Sequence, residues 1–260
     1  MEKEFGKISR KQARETYSLL HQAKAEKAGL DDLIKQKPEK IAAVLDSTIP
    51  WALFYELPYV HLLAFYFLIL TSKTKVKKIL KSKDPAQVLL NWANSDPKPP
   101  RGFNKWKTKE MAIFLSLTQV IYYNMQAISV FRKSLCDLIG EARQGDDSAL
   151  FDAILVDRSA MTSITGSKRI ARAMLENDGE FFDHLTKAIK GTRPKRPHEK
   201  FNDLRFMVEL LDQSIGIKNT SHKKIYNLLV EDLELYPETG KDAMKGFEKF
   251  IERQLKIKPT

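Results

Sequence analysis

The chain has 260 residues, with 44 basic and 33 acidic side chains, a net charge of +11 and a single cysteine. One cysteine excludes an intramolecular disulfide, and 11 glycines and 11 prolines exclude collagen-like and low-complexity classes. The charge favours association with nucleic acid, anionic lipid or acidic proteins, but it does not define a fold. We expect an all-α protein. We also expect it to lie in a reducing cytoplasm, since Cys136 stands alone and the amino terminus lacks a signal-type apolar segment.

The first seventy residues predict short helices separated by glycine and proline. Residues 7–28 favour a helix that Gly29 closes, and residues 31–36 favour a further turn. Pro38 suits the first position of a helix over residues 38–46. Residues 47–70 are unusually apolar, and because Pro50 and Pro58 disrupt helix interiors we predict two short helices there, over 50–57 and 58–70.

A strongly basic segment follows at residues 73–83, which contain six lysines. Val76, Ile79 and Leu80 recur at helical spacing within it, so the segment predicts an amphipathic basic helix. Asp84 and Pro85 suit the cap and first position of the next helix, and residues 95–106 predict a loop. The lysines form a secondary basic patch of Lys73, Lys75, Lys77, Lys78 and Lys81.

Residues 111–131 contain no charged side chain, and we expect the rest of the chain to be arranged around them. The helical pattern begins after a predicted cap at Thr108 and continues to Gly140. A helix that is apolar on nearly every side must be covered by protein or by lipid. Three amides within it, Gln119, Asn124 and Gln126, favour a buried core, because amides are costly in hydrocarbon. A membrane location stays open as the weaker alternative.

The second half predicts further helices. Asp147 is the predicted cap of one, residues 158–166 favour a short helix, and Ser167 is the predicted cap of the next. Asp178 begins a helix that Gly191 ends. We predict a multi-helix orthogonal bundle around the long central helix over residues 1–190, a basic linker over 191–200, and a three-helix module over 201–260.

Catalytic and cofactor motifs are absent from the sequence. It has no G-x-G-x-x-G, P-loop or H-E-x-x-H pattern. Residues 165–168 (TGSK) superficially resemble a phosphate loop, but the residue order is wrong and the first glycine is missing. The five histidines show no metal-ligand spacing, and one cysteine cannot build a thiolate zinc site. We therefore expect no cofactor, no metal and no catalytic residue, and an enzyme is the weaker interpretation.

The carboxy-terminal third outlines a helix-turn-helix pattern. Residues 204–217 favour one helix and a turn, and Thr220 or Ser221 is positioned to cap a second helix, whose first turn is basic. That turn is where a recognition helix meets a DNA groove. A plain helical hairpin fits the same pattern, and Glu231, Asp232 and Glu234 would repel phosphate. The predicted contacts to nucleic acid are Arg193, Lys195, Arg196, Lys218, Lys223 and Lys224.

These patterns lead to three functional hypotheses. The first is a non-enzymatic nucleic-acid-binding or regulatory protein, whose partner is DNA or RNA and whose affinity falls with salt. The second is a protein-interaction scaffold, or a homo-oligomer, without nucleic acid. The third is a membrane-associated helical protein.

Overall fold

The computed structural model describes residues 4–36, 51–95, 97, 102, 105–191, 199–215, 217–237 and 242–256. The predicted all-α class is confirmed: in these ranges the only extended pairing is an isolated bridge between Phe5 and Ile8. The predicted helix over residues 38–46 and most of the predicted loop over 95–106 lie outside the described residues.

Five helices and a 3-10 helix form the first half. The elements are α1 (Arg10–Gln36), the 3-10 helix Trp51–Glu56, α2 (Tyr59–Ile69), α3 (Lys73–Leu80), α4 (Pro85–Ala93) and α5 (Thr108–Phe131). The central helix is α5, and α1, α2 and the 3-10 helix pack against it.

Seven helices follow in the second half, with further 3-10 and π-helical turns. They are α6 (Leu135–Arg143), α7 (Asp147–Val156), α8 (Ile164–Glu176), α9 (Gly179–Lys190), α10 (Asn202–Ile215), α11 (His222–Tyr226) and α12 (Ala243–Lys256). A 3-10 turn, Arg158–Thr162, precedes α8, and a π-helical turn, Asn227–Asp232, continues α11.

The predicted end of the first helix at Gly29 is wrong, because α1 runs through this glycine to Gln36. A glycine inside a helix costs about 1 kcal/mol relative to alanine, so it weakens a helix without having to end it. Gly191, in contrast, ends α9 as predicted, and its φ of 68° is the left-handed conformation that favours glycine.

The long central helix is also shorter than predicted. It ends at Phe131 rather than Gly140, and Arg132 takes a left-handed φ of 60°. A new helix, α6, then begins at a reciprocal cap: the Ser134 hydroxyl accepts from the Asp137 N–H at 3.0 Å, and the Asp137 carboxylate accepts from the Ser134 N–H at 3.1 Å. This local pair of hydrogen bonds overrides the helical periodicity that continues through the break.

Three predicted caps shift by a few residues. Helix α5 begins after Lys107, whose N–H donates to Glu110 at 2.9 Å. Asp146 rather than Asp147 caps α7, and Ser163 rather than Ser167 caps α8, because each accepts a hydrogen bond from an N–H in the first helical turn. The predicted caps at Asp84, Asp178 and Ser221 are confirmed.

Buried apolar side chains form two clusters. The first is built on the 3-10 helix Trp51–Glu56 and helices α5 to α9, and it includes Tyr55, Leu117 and Leu150. The second is built on α10 to α12. It also contains Phe5 and Ala13, so the carboxy-terminal helices pack on residues that the sequence assigned to the first unit. The division at residues 191–200 stays a prediction.

Helix α5 packs against α1, α2, α6, α7 and α10, which bury Leu117, Val120 and Ala127 and leave Ile113 exposed. Within the described residues, no helix combines the length and apolar content needed to cross a membrane.

Candidate functional site

The most unusual surface of the molecule lies on α2. This helix contains no charged residue, and only Leu62 is fully buried. Five large apolar side chains are exposed on α2 and the residue before Pro58, and Val60 is 67% exposed. The others are Leu57, Leu63, Phe65 and Leu68.

Helical spacing explains how these side chains come together. Val60 and Leu68 are eight residues apart, so they lie on one face of α2, with the exposed Ala64 between them. The opposite face carries Leu62 and Tyr66 into the protein. An ordinary surface helix is polar on its solvent face. Apart from the exposed His61, the solvent face of α2 is apolar, and such a patch marks a surface that contacts a partner or a membrane.

Helix α3 places lysines directly after this apolar face. Ser72 caps α3 by accepting a hydrogen bond from the Lys75 N–H, and Ile79 is buried beneath the helix. Leu80, the last residue of α3, is a further exposed apolar side chain, at 69%. Of the predicted secondary patch, the side chain of Lys73 lies outside the described residues, and four lysines are exposed: Lys75, Lys77, Lys78 and Lys81.

Aromatic contacts hold these helices on the rest of the protein. Tyr66 of α2 stacks on Phe114 of α5 with a centroid separation of 5.4 Å. Phe67 of α2 meets Trp92 of α4 edge to face at 4.8 Å, and the Lys75 ammonium lies 5.7 Å from the same indole ring. The exposed face of α2 is therefore supported by packed rings rather than carried on a free segment.

We call Leu57, Val60, Leu63, Phe65 and Leu68, together with Leu80 and the four exposed lysines, the α2–α3 surface. Between residues 57 and 95 the sequence has six lysines and one carboxylate, Asp84. That carboxylate accepts a hydrogen bond from the Gln87 N–H at 3.0 Å as a helix cap. The charge beside the apolar face is therefore strongly positive.

The predicted nucleic-acid contacts are only partly described. Arg193, Lys195 and Arg196 lie outside the described residues, as does the side chain of Lys218. Lys223 and Lys224 are both exposed in the first turn of α11, after the Ser221 cap. The structure thus brings two of the six predicted side chains onto one exposed turn.

The second helix of the predicted helix-turn-helix departs from the sequence expectation. Helix α11 has 5 residues before the π-helical turn begins. The Asp232 carboxylate, which was expected to repel phosphate, forms ion pairs with Arg10 and Arg14 at the start of α1. His222, in contrast, contacts the Glu248 carboxylate at 3.1 Å, which places an acidic group beside the exposed turn.

The buried chemistry of the central helix is structural. Asn124 donates to the Val120 carbonyl at 2.8 Å and accepts from the Cys136 N–H at 3.0 Å, which joins α5 to α6. Cys136 is buried, and burial raises the pKa of its thiol to about 12. The thiol is therefore protonated at neutral pH and lacks the thiolate character of a reactive cysteine.

The aspartates that cluster in sequence between 146 and 157 do not form a metal site. Asp146 caps α7, Asp147 pairs with Arg169 at 2.7 Å, and Asp157 accepts hydrogen bonds from buried aromatic residues. No group of three His, Cys, Asp or Glu side chains in the described part of the chain could hold a metal ion.

The fold and these surfaces describe an all-α protein with an exposed, lysine-bordered apolar helix. Comparisons with known proteins give no match to a family model, to a curated protein or to a solved structure.

The apolar half of the α2–α3 surface was not predicted from the sequence. Residues 47–70 were expected to form two short apolar helices, and the lysines were considered separately. The available signal was the junction itself: an uncharged helix of 11 residues followed within four residues by a lysine-rich one. Exposure, however, depends on which side of α2 the remaining helices cover, and no local pattern reports that.

Proposed function

We propose that this protein binds anionic membrane surfaces peripherally through the α2–α3 surface. The observation that carries the proposal is the apolar solvent face of α2, next to the exposed lysines of α3. A helix with an apolar face and neighbouring cations can lie in the headgroup region without crossing the bilayer.

The apolar side chains and the lysines of the α2–α3 surface contribute binding free energies of similar size. Fully burying a large apolar side chain is worth about 1.5–3 kcal/mol. Residues such as Phe65 and Leu68 are about half exposed and would gain roughly half of that in the interface. A lysine near an anionic leaflet contributes about 1 kcal/mol. Neither half alone gives stable binding, so we expect the two to be required together.

The apolar residues also favour a membrane over nucleic acid as the partner of this surface. Phosphate contacts would use Lys75, Lys77 and Lys78 but would leave Val60 and Leu68 in water. An acidic, apolar protein surface is the remaining alternative, and failure of both vesicle types to retain the protein would favour it.

Sedimentation with vesicles tests the proposal. The full chain should pellet with phosphatidylcholine vesicles that contain phosphatidylserine, and much less with phosphatidylcholine alone. The triple variant V60S/F65S/L68S and the quadruple variant K75Q/K77Q/K78Q/K81Q should each bind at least about tenfold more weakly, which corresponds to about 1.4 kcal/mol.

Matched controls exist on other helices. Met174 and Leu175 of α8 are exposed apolar residues far along the chain from α2, so M174S/L175S should bind like the wild type. Likewise, K223Q/K224Q removes two exposed lysines and leaves the α2–α3 surface unchanged. The proposal fails if neither vesicle type retains the protein, or if the controls lose as much binding as the surface variants.

Nucleic-acid binding through α11 is a second candidate function. The exposed pair Lys223 and Lys224 in a capped first turn favours it, and Arg193, Lys195, Arg196 and Lys218 are further predicted contacts. We expect anisotropy of labelled DNA or RNA to report binding that weakens steeply between about 50 and about 200 mM salt. K223Q/K224Q should reduce it, whereas K75Q/K77Q/K78Q/K81Q should not. Absence of any anisotropy change with DNA and RNA would contradict it.

Two further expectations stay predictions. A scaffold or homo-oligomer would use the same apolar face, and it would show as a mass above 29.9 kDa that V60S/F65S/L68S returns to the monomer value. The cytoplasmic location inferred from the lone cysteine is tested by where a tagged chain resides in fractionated cells.

A further inference from the structure

A cleft lies at the junction of α1, α5, α7 and α10, and it does not involve the α2–α3 surface. Its volume is about 340 Å³, at the small end of the range for ligand pockets. Its apolar wall includes Leu20 of α1 and Met125 and Phe131 of α5. Its polar groups come from the middle of α1, from α5 and from the first residues of α10.

Besides its apolar residues, α5 contributes uncharged polar residues to the cleft. Gln119, Tyr122, Gln126 and Ser129 are spaced so that they share one helix face, and the last three line the cleft. The Gln126 amide donates to the Tyr122 hydroxyl at 2.9 Å. One turn earlier, the Gln119 Oε1 atom is buried and accepts no hydrogen bond. Buried polar groups on an otherwise apolar helix are costly unless something polar faces them.

The charged groups that line the cleft are one base and one acid. The Lys24 ammonium, from α1, pairs with the Asp203 carboxylate at the start of α10. The two side chains are partly exposed, at 37% and 19%. Beside them, the Asn202 amide oxygen accepts from the Arg205 guanidinium at 2.7 Å.

We propose that this cleft binds a small zwitterionic molecule with an apolar body, of the size of an amino acid. Its ammonium group pairs with Asp203, its carboxylate pairs with Lys24, and its apolar portion packs against Leu20, Met125 and Phe131. A zwitterion exchanges one ion pair for two and leaves no charge unpaired. A simple anion that pairs with Lys24 displaces Asp203, and a simple cation that pairs with Asp203 displaces Lys24, so each only exchanges one ion pair for another.

Three related compounds test this charge rule by titration calorimetry with the full chain. L-phenylalanine carries both charges, 3-phenylpropanoate lacks the ammonium group, and phenethylamine lacks the carboxylate. We expect L-phenylalanine to bind, and each analogue to bind at least about tenfold more weakly, because each analogue lacks one of the two charged groups that pair with the cleft. L-leucine and L-methionine should bind by the same rule, with affinities set by the fit of the side chain.

Substitutions in the cleft test whether the heat of binding measured by calorimetry comes from this site. K24M and D203N should each abolish or weaken binding of L-phenylalanine by at least about tenfold. K11M is the matched control, since Lys11 lies on the same helix, is well exposed and pairs with Glu15.

Three results would each overturn the proposal. They are the absence of heat with all three zwitterions, equal affinity for L-phenylalanine and its two analogues, and an equal loss of binding in K11M and K24M. Since none of these variants alters α2 or α3, vesicle binding is a separate measurement, and failure of one proposal leaves the other standing.

Discussion

Asp157 is the residue on which the first buried cluster depends most heavily. Its carboxylate accepts from the Trp51 indole at 3.0 Å, the Tyr55 hydroxyl at 2.6 Å and the Ser159 N–H at 3.0 Å. Tyr55 is buried, and burial together with this carboxylate raises the pKa of its hydroxyl, which stays protonated and donates. The interaction fixes the 3-10 helix Trp51–Glu56 to the turn that follows α7.

We expect Asp157→Asn to lower the free energy of unfolding by about 2–3 kcal/mol, because an amide whose oxygen accepts from Trp51 and Tyr55 turns its NH2 group toward the Ser159 N–H, which also donates. Tyr55→Phe should cost less, about 1 kcal/mol, since it removes one bond and leaves the others. Urea denaturation measures both. Asp183, exposed on α9, is the control: Asp183→Asn should change stability by less than about 0.5 kcal/mol.

Glu56 gives the stability a specific dependence on pH. Burial raises the pKa of its carboxyl, but hydrogen bonds from Thr165 and Arg143 outweigh burial and hold the pKa below its ordinary value of 4.5. The Thr165 N–H donates at 2.8 Å, which joins the 3-10 helix to the start of α8. The folded state thus binds the proton more weakly than the unfolded state. The stability that the Glu56 carboxylate contributes is complete above the pKa of the unfolded state. It is lost as the pH falls through the pKa of the folded state.

Glu56→Gln should therefore be less stable than the wild type at about pH 7, and the difference should shrink as pH falls below about 4.5. Urea midpoints at several pH values, from about 7 down to well below about 4.5, measure the effect. Glu180→Gln, at an exposed position of α9, should run parallel to the wild type over the whole range. A constant gap between Glu56→Gln and wild type would show that the carboxylate charge is not what stabilises this junction.

At the scale of elements, what the sequence predicted depended on whether the signal was local. The starts of α4, α9 and α11 were predictable because Asp84, Asp178 and Ser221 bond to their own helices. The break at Arg132 had a local signal too, in the Ser134–Asp137 pair, but the continuing periodicity of residues 111–140 pointed the other way. The exposure of α2 and the position of Asp203 opposite Lys24 depend on packing between distant segments, which no short pattern encodes.

Gly166 shows a packing requirement that resembles a functional motif in sequence. It lies in the first turn of α8, where an added Cβ would lie 2.4 Å from the Ala160 carbonyl oxygen and 3.0 Å from that of Met161. Only a residue without a side chain lets α8 start this close to the preceding 3-10 turn. The TGSK segment is thus explained by close approach of two backbones rather than by phosphate binding.

A pair of glycine substitutions tests this explanation. Gly166→Ala should lower the free energy of unfolding by about 1–3 kcal/mol, because the backbone of one element must move. Gly140→Ala, inside α6 with nothing within 4 Å of the new Cβ, should raise it by about 0.4–1 kcal/mol. Thermal or urea unfolding measures both. If the two substitutions changed stability in the same direction, close packing at Gly166 would not be its role.

At the scale of the whole molecule, Arg132 joins the two buried clusters. It ends α5 in a left-handed conformation, and its guanidinium pairs with Asp212 at 2.6 Å and with Glu209, both on α10. The side chains of Arg132 and Glu209 are 8% and 7% exposed, so this ion pair is largely removed from water. The Gln254 carbonyl of α12 lies 3.5 Å from the same guanidinium. One side chain therefore links the central helix to two helices of the second cluster.

Removing this arginine should loosen the second cluster selectively. Arg132→Met leaves the Glu209 carboxylate buried without its cation, a change that typically costs about 3–5 kcal/mol. Hydrogen–deuterium exchange should rise in peptides from α10 and α12 more than in peptides from α6 and α7. Adding Glu209→Gln should recover part of the loss, since the stranded charge is then gone. Lys133→Met is the neighbouring control: Lys133 pairs with Glu141 at 2.6 Å on α6, so its loss should leave exchange in α10 unchanged. A uniform increase across all peptides in Arg132→Met would mean that the two clusters unfold as one unit and that Arg132 stabilises the whole fold rather than the junction.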